Sequence, residues 1–332
     1  MPEPVPALPP ARGQEVARPQ RYFFLLLERF TLISFAAAIE PLRLANRLSG
    51  RPLYEWRVIG ENGEFAACSN GTRVMLDGGL CETLRSDTIL VCGGVDIARA
   101  ATRPVLGWLR REARRGARMG ALCTGAWVLA EAGLLEGRRA TIHWENQDGF
   151  AEEFPDVTLI RTVFVEDASR MTAAGGTAAI DLMLRQIARD HGSELANRVA
   201  DQMIHTSIRS EDDHQRLSIP TRIGARHPRL AQVIARMEAN IEDPISPARL
   251  ATDADMSPRQ LERLFARYLG RSPKRYYMEL RLERARNLLM QTEMSVIEIA
   301  LACGFGSASH FSKCYRAVYG GTPYRQRGAA AS

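Results

Sequence analysis

One cysteine stands where a thiol can do chemistry. In "GALCTGAW", residues 120–127, Cys123 sits among small residues where an apolar run passes into a helical pattern. A strand, a sharp turn and a helix with free N–H groups beside the sulfur would expose the side chain and lower its pKa, as at a nucleophile elbow. A cysteine merely buried at a strand end is the other reading that these residues allow.

The elements that must position Cys123 are legible around it. From Arg21 to about Ile208, short apolar runs alternate with helical stretches, the mark of β-α-β units and a largely parallel sheet. "RYFFLLL", "YEWRVIGE", "DTILVCGG" and "ARMGALC" read as strands, "RVMLDGGL" as an extended or hairpin segment, and "RRATIH" and "VTLIRTVFVEDASRMTAAGG" as later strands. "SFAAAIEPLRLANRLSG", "PVLGWLRREARRG", "TGAWVLAEAGLL", "TAAIDLMLRQIARDHG" and "SELANRVADQMIHT" read as helices. The fold class is therefore an α/β doubly wound N-terminal domain. In such sheets ligands sit outside the carboxyl ends of the strands. Residues 92–95, 122–125 and 142–145 should converge there.

Composition separates the chain into two parts. Residues 224–328 hold 17 Lys and Arg against 10 Asp and Glu, so the net charge of +6 resides in the C-terminal third. A basic excess confined to one segment points to a polyanion such as DNA as that segment's partner. The six cysteines form no C-x-x-C pair and none has zinc spacing with histidine, so no metal or cofactor is expected and a reduced cytoplasmic compartment is. The first apolar run is broken by Glu28 and Arg29 after six residues, too short for a membrane helix. Residues 1–20, with six prolines, read as a disordered tail; 21–208 as the α/β domain, 209–228 as a linker and 229–328 as a second domain.

That second domain reads as consecutive helices opened by Ser-Pro pairs at 246, 257 and 272, with possible capping boxes at Ser257/Gln260 and Ser295/Glu298. Two helix-turn-helix units flank one helix of about 18 residues, roughly 27 Å long. The first unit turns Leu261, Leu264 and Phe265 inward and leaves Arg259, Glu262 and Arg263 outward. The second buries Phe311 and Tyr315 and exposes Ser309, His310 and Lys313.

The run from "LATDADMSPRQLERLFARYLG" through "IEIALACGF", "SHFSK" and "GGTPYRQR" resembles the DNA-binding domain of AraC/XylS-type transcriptional regulators. That resemblance implies a seven-helix domain whose two units read adjacent major grooves of double-stranded DNA. Arg259, Glu262, Arg263, Ser309, His310 and Lys313 would then be the base-reading positions. "LVCGGVD", "GALCTGAWVLAEAGLLEGRRATIHWE" and "MTAAGGTAAIDLML" resemble the class I glutamine amidotransferase-like, PfpI-type domain, which is flavodoxin-like. Together the two domains resemble the GlxA-type subfamily, and "IHWENQDGFAEEFP" most resembles regulators of glycine betaine, carnitine or arginine catabolism.

In PfpI-type enzymes a catalytic histidine follows the elbow cysteine and an acidic residue supports the thiol. Here Thr124 takes the histidine's place, the nearest downstream histidine is His143, and Glu28 or Glu40 would have to supply the carboxylate. A thiolate with no positioned base cannot turn over substrate. Cys123 is therefore expected to be a pocket wall and the protein not to be an enzyme. The expected pocket comprises Gly93, Gly94, Cys123, Thr124, Trp127, His143, Trp144 and Glu145. Gly93 and Gly94 would offer N–H donors to a carboxylate, while Trp127, Trp144 and Glu145 would face a quaternary ammonium or guanidinium group. The expectation is a homodimeric, ligand-responsive regulator, an activator meeting RNA polymerase at promoters, with a small-molecule effector and no membrane. The rival is a PfpI-type cysteine hydrolase or hydratase using Cys123.

Overall fold

A computed structural model describes residues 18–215 and 227–330 of the chain. The expected tail lies almost wholly outside these residues. β1 (Gln20–Leu26) sends Tyr22, Phe24 and Leu26 into one core and Phe23 and Leu25 into another. A strand apolar on both faces belongs inside a sheet covered by helices on both sides.

The chain continues through α1 (Leu32–Ser49), β2 (Tyr54–Ile59), a hairpin of β3 (Phe65–Ala67) and β4 (Arg73–Met75), and β5 (Thr88–Cys92). Next come α2 (Ile97–Ala100), α3 (Arg103–Arg115), β6 (Arg118–Leu122) and α4 (Gly125–Glu131). β7 (Arg139–Ala140), a 3-10 turn (Trp144–Asn146), α5 (Gln147–Glu153) and β8 (Thr158–Leu159) lead to β9 (Phe164–Asp167) and β10 (Arg170–Ala173). α6 (Ala178–His191) and α7 (Ser193–Gln202) complete the unit.

Six strands form one sheet in the order β2-β1-β5-β6-β10-β9, parallel except for the antiparallel β9–β10 pair. The doubly wound fold is thus as expected, with one antiparallel edge. Registry aligns the strand ends: Leu26 pairs with Cys92, Cys92 with Leu122, and Leu122 with Ala173. The loops that follow all four strands therefore emerge side by side. Because β2 and β5 flank β1 on opposite sides, the order reverses at β1, which is where a crevice opens in such folds.

Two expectations change. "RRATIH" gives β7, which pairs with β8 in a small sheet of its own. Side chains of the main sheet hold it instead: the Arg139 N–H donates to Asp167 Oδ2 and the Thr141 N–H to Thr172 Oγ1, both at 2.8 Å. The linker also begins later than residue 209. Asp181, fully buried, accepts from the Arg209 N–H and guanidinium and meets His205 Nε2 at 2.8 Å. The Val163 N–H donates to Asp213 O, and Gln215 Nε2 donates to Thr141 Oγ1 and to the carbonyls of Ile142 and Thr162. Residues 209–215 are thereby strapped onto the α/β unit, and 216–226 lie outside the described residues.

The C-terminal part comprises seven described helices: α8 (Pro228–Ala239), α9 (Pro247–Asp253), α10 (Pro258–Leu269), α11 (Pro273–Gln291), α12 (Val296–Ala302), α13 (Ala308–Tyr319) and α14 (Pro323–Ala330). α11 belongs to two cores at once. Its Tyr276 and Tyr277 pack with α8, α9 and α10, whereas Leu282, Ala285, Leu288 and Leu289 pack with α12 and α13. Both expected capping boxes form, at Ser257/Gln260 and Ser295/Glu298. Since an N-cap serine satisfies an otherwise orphaned helix N–H, Ser257→Ala should cost about 1 kcal/mol. Chemical denaturation of the full chain, followed in the helical signal, checks this; an unchanged midpoint would show that the Ser257 cap contributes nothing.

Candidate functional site

The elbow is built by glycine on three sides. Cys123 itself has a positive φ of 59°, a conformation that L-residues hold only where their surroundings impose it. A Cβ on Gly93 would lie 2.3 Å from the Gly125 N, and one on Gly125 would lie 2.2 Å from the Val91 O. A Cβ on Gly175, whose φ is +95°, would lie 3.0 Å from Cys123 Sγ. No larger residue fits between these backbones, so the ends of β5, β6 and β10 meet at the sulfur. Thr124 locks the arrangement: its hydroxyl donates to the Gly94 carbonyl at 2.6 Å. In the place of a catalytic histidine it forms a structural tie.

Cys123 is 6% exposed. Burial pushes its thiol up from the ordinary value, and the nearby Glu145 carboxylate adds to the rise. The Thr31 hydroxyl, 3.7 Å from the sulfur, the Thr124 N–H and Ser34 act in the opposite direction and do not prevail. The lowered thiol pKa expected from the elbow is therefore corrected: turn geometry is present, but desolvation of the anion outweighs three weak donors. The carboxylate expectation is corrected as well. Glu28 is exposed and Glu40 pairs with Arg43, and the carboxylate that acts on the sulfur is Glu145. Among the described residues Cys123 has no hydrogen bond to a histidine. His143 instead lies 3.7 Å from Glu145 through Nδ1, and its pKa is lowered by burial against the opposing pull of that carboxylate.

Of the eight expected pocket residues, the structure brings Gly93, Gly94, Cys123 and Thr124 into contact at the strand ends and sets Glu145 within electrostatic reach of Cys123. The His143 and Trp144 rings lie tilted at 40° to each other with centroids 5.5 Å apart, both partly buried, and Glu145 is exposed. Trp127 is a correction. It is 5% exposed and set edgewise against Phe150 and Phe154, because the helical period of α4 turns it into the core under the sheet rather than toward the crevice. Gly93 is a second one, since its N–H already donates to Leu122 O, and Gly94 remains the candidate backbone donor. Thr31, Ser34 and Gly176 were not expected; buried Ser34 accepts from the Gly176 N–H at 2.9 Å. The "GGT" after β10 was the available signal for this wall. An open groove of about 470 Å³ lies elsewhere, between α6, α7 and residues 208–212.

In the C-terminal part, Arg259, Glu262 and Arg263 are exposed on α10 while Leu261 and Phe265 are buried. On α13, Ser309, His310 and Lys313 are exposed while Phe311 and Tyr315 are buried. Both helices are second in a helix-turn-helix pair, preceded by α9 and α12. Arg281 of α11 fixes the second turn. Its guanidinium donates to Cys303 O at 2.8 Å and to Gly304 O at 2.6 Å, and covers the Phe305 ring at 4.2 Å. His310 rests edge-on against Phe305 and has Nε2 3.4 Å from Cys314 Sγ.

Comparison with known proteins accounts for both halves. Residues 24–189 match the DJ-1/PfpI family and residues 250–329 match a helix-turn-helix domain family. The chain is 47% identical over 322 residues to the HTH-type transcriptional regulator GbdR of Pseudomonas aeruginosa, covering 97% of this chain and 87% of that protein. It is 45% identical to CdhR of the same species, covering 93% and 91%, and 40% identical to GlxA of Rhizobium meliloti, covering 92% and 94%, both HTH-type transcriptional regulators. A crystal structure of an AraC family transcriptional regulator from Pseudomonas putida is similar at a TM-score of 0.50 and 29% identity, over 56% of this chain and all of that one. A THiJ/PfpI family protein from Pseudomonas syringae shares the fold at a TM-score of 0.53 and 19% identity, over 71% of this chain and 94% of that one. The fold and the paired reader define an AraC/XylS-type protein joined to a DJ-1/PfpI domain. Within that class, the chain belongs to the GlxA-type family of HTH-type transcriptional regulators. No helix among the described residues is long and apolar enough to cross a membrane.

Because burial raises the Cys123 pKa, the thiolate fraction at neutral pH falls below that of a free thiol. Iodoacetamide should label Cys123 more slowly than a small free thiol at pH 7.5, with the rate inflecting above the ordinary thiol value as pH rises. Peptide mapping by mass spectrometry reads this directly; an inflection below that value would mean an activated nucleophile.

Proposed function

We propose that the protein is a ligand-responsive, sequence-specific transcriptional regulator of small-metabolite catabolism. Its DNA-reading domain is governed by a small carboxylated amine, such as glycine betaine, carnitine or arginine, bound at the elbow. The observation that carries this reading is the pairing of two reader helices, each with its polar face open, with an elbow whose cysteine is buried, has its thiol pKa raised by that burial, and has no histidine hydrogen-bonded to it among the described residues. A hydrolase needs the opposite: an activated nucleophile with its proton acceptor in place. Naming of the relatives as HTH-type transcriptional regulators supports the same choice.

The effector class follows from what surrounds the sulfur. Gly94 offers an N–H to a carboxylate, while Glu145 and the partly buried Trp144 offer negative charge and an aromatic face to a cationic group. The effector can act only by favouring one arrangement of the chain over another. We assign the protein to the cytoplasm as a homodimeric activator, with promoter DNA and RNA polymerase as its macromolecular partners and no turnover of its own.

A thermal-shift series with glycine betaine, carnitine, choline, dimethylglycine and arginine should raise the melting point for one of them, because a ligand bound only to the folded state stabilises it by mass action. A flat series would remove this effector class. In the reader, Arg263→Ala should weaken binding to the selected operator by about 1 to 3 kcal/mol and relax preference at one base. An unchanged footprint and affinity would take Arg263 out of base reading. Cys123→Ser should keep ligand-dependent transcription; loss of a measured turnover in that variant, with DNA binding intact, would favour the enzyme.

A further inference from the structure

The elbow and the reader meet at a seam. Gln291, the last residue of α11, donates from Nε2 to the Glu145 carbonyl at 2.6 Å. Arg284, two turns earlier, pairs with Glu152 of α5 at 3.4 Å. Buried Gly149 of α5 has no side chain because none fits: a Cβ there would lie 2.7 Å from Gln291 Oε1 and 2.8 Å from Gln291 Cβ. The three contacts fall on the 3-10 turn and α5, the segment that continues directly from His143 and carries Glu145.

A second connection ends in the same segment. Gln215, the last described residue before the reader, is bonded to Thr141 and to the Ile142 carbonyl, immediately ahead of His143. Among the described residues, these connections fall within residues 141–152. The seam leaves the reading faces alone: Arg259, Glu262, Arg263, Ser309, His310 and Lys313 are exposed while it is closed. It is also imperfectly satisfied, since Gln291 Oε1 and Arg284 Nε are buried without a hydrogen-bond partner among the described residues. Buried polar groups left unpaired cost free energy, which offsets part of what the Gln291 and Arg284 contacts gain.

We propose that this seam, Glu145, Gly149 and Glu152 against Arg284 and Gln291, is the path by which the state of the elbow pocket is transmitted to the DNA-reading domain, acting on the reader's orientation rather than by covering it. The proposal rests on the regulator reading above. It places the signal on α11, the helix that belongs to both reader cores, so one displacement there reaches both helix-turn-helix units.

Coupling between two sites is reciprocal, so DNA bound at the reader must alter the elbow. The test uses the full chain, a duplex selected by that chain from genomic DNA, and iodoacetamide labelling of Cys123 as the readout. DNA should change the labelling rate about fivefold or more in the parent chain. Gln291→Ala, which removes the bond to Glu145, and Gly149→Ala, which wedges the seam, should each abolish that change while still binding the duplex. Melting curves and retained DNA binding show that each variant is folded, and Arg284→Gln gives a third route if either is not. A labelling rate indifferent to DNA in the parent chain, or a response that persists in the seam variants, overturns the proposal. Failure to select any duplex would instead remove the regulator reading, and the signal path with it.

Discussion

The approach of three backbones at Cys123 is the constraint on which the rest of the molecule depends. Gly93, Gly125 and Gly175 bring the ends of β5, β6 and β10 so close that no side chain fits between them. The price of that closeness is burial of the thiol. Donors from Thr31, Ser34 and Thr124 are too weak to offset the lost solvation of a thiolate, so the thiol pKa is pushed up. An elbow in this fold can host a nucleophile. This one is closed around a buried thiol and tied shut by the Thr124 hydroxyl on Gly94.

The same packing sorts the expected pocket residues. With Gly93 hydrogen-bonded to Leu122 and Trp127 turned into the core, the others lie on two sides. Gly94 and Cys123 occupy one, and His143, Trp144 and Glu145 the other. The second side sits on a segment joined to the main sheet by the Arg139 and Thr141 N–H groups donating to Asp167 and Thr172 side chains rather than by a strand ladder. It is also the segment that touches α11.

Much of this was legible in the chain. The alternation of apolar runs and helical stretches defined the sheet, and Ser-Pro pairs with Gln260 and Glu298 marked helix starts that the structure caps in the expected way. Which side chains of α10 and α13 face outward followed from helical period alone. Three things were hidden, each for a physical reason. Turn geometry at Cys123 was readable but its solvation was not, because burial depends on the Thr31 and Gly175 loops, which are distant in sequence. Trp127 has the same composition signal in a pocket or a core, and only the placement of Phe150 and Phe154 separates them. Charge and proline content marked a linker from residue 209, yet Arg209 is held by a buried Asp181 whose pairing no local pattern announces.

A closed elbow and a paired DNA reader share one chain. The central claim is that occupancy on DNA answers to a small carboxylated amine. Mapping the chain's DNA occupancy and the transcripts beside it in cells grown with and without glycine betaine, carnitine or arginine tests this most directly. The account predicts discrete promoter sites whose transcripts rise with one of these amines. Sites that are absent, or transcripts indifferent to all such amines while the purified chain consumes a substrate through Cys123, would contradict it.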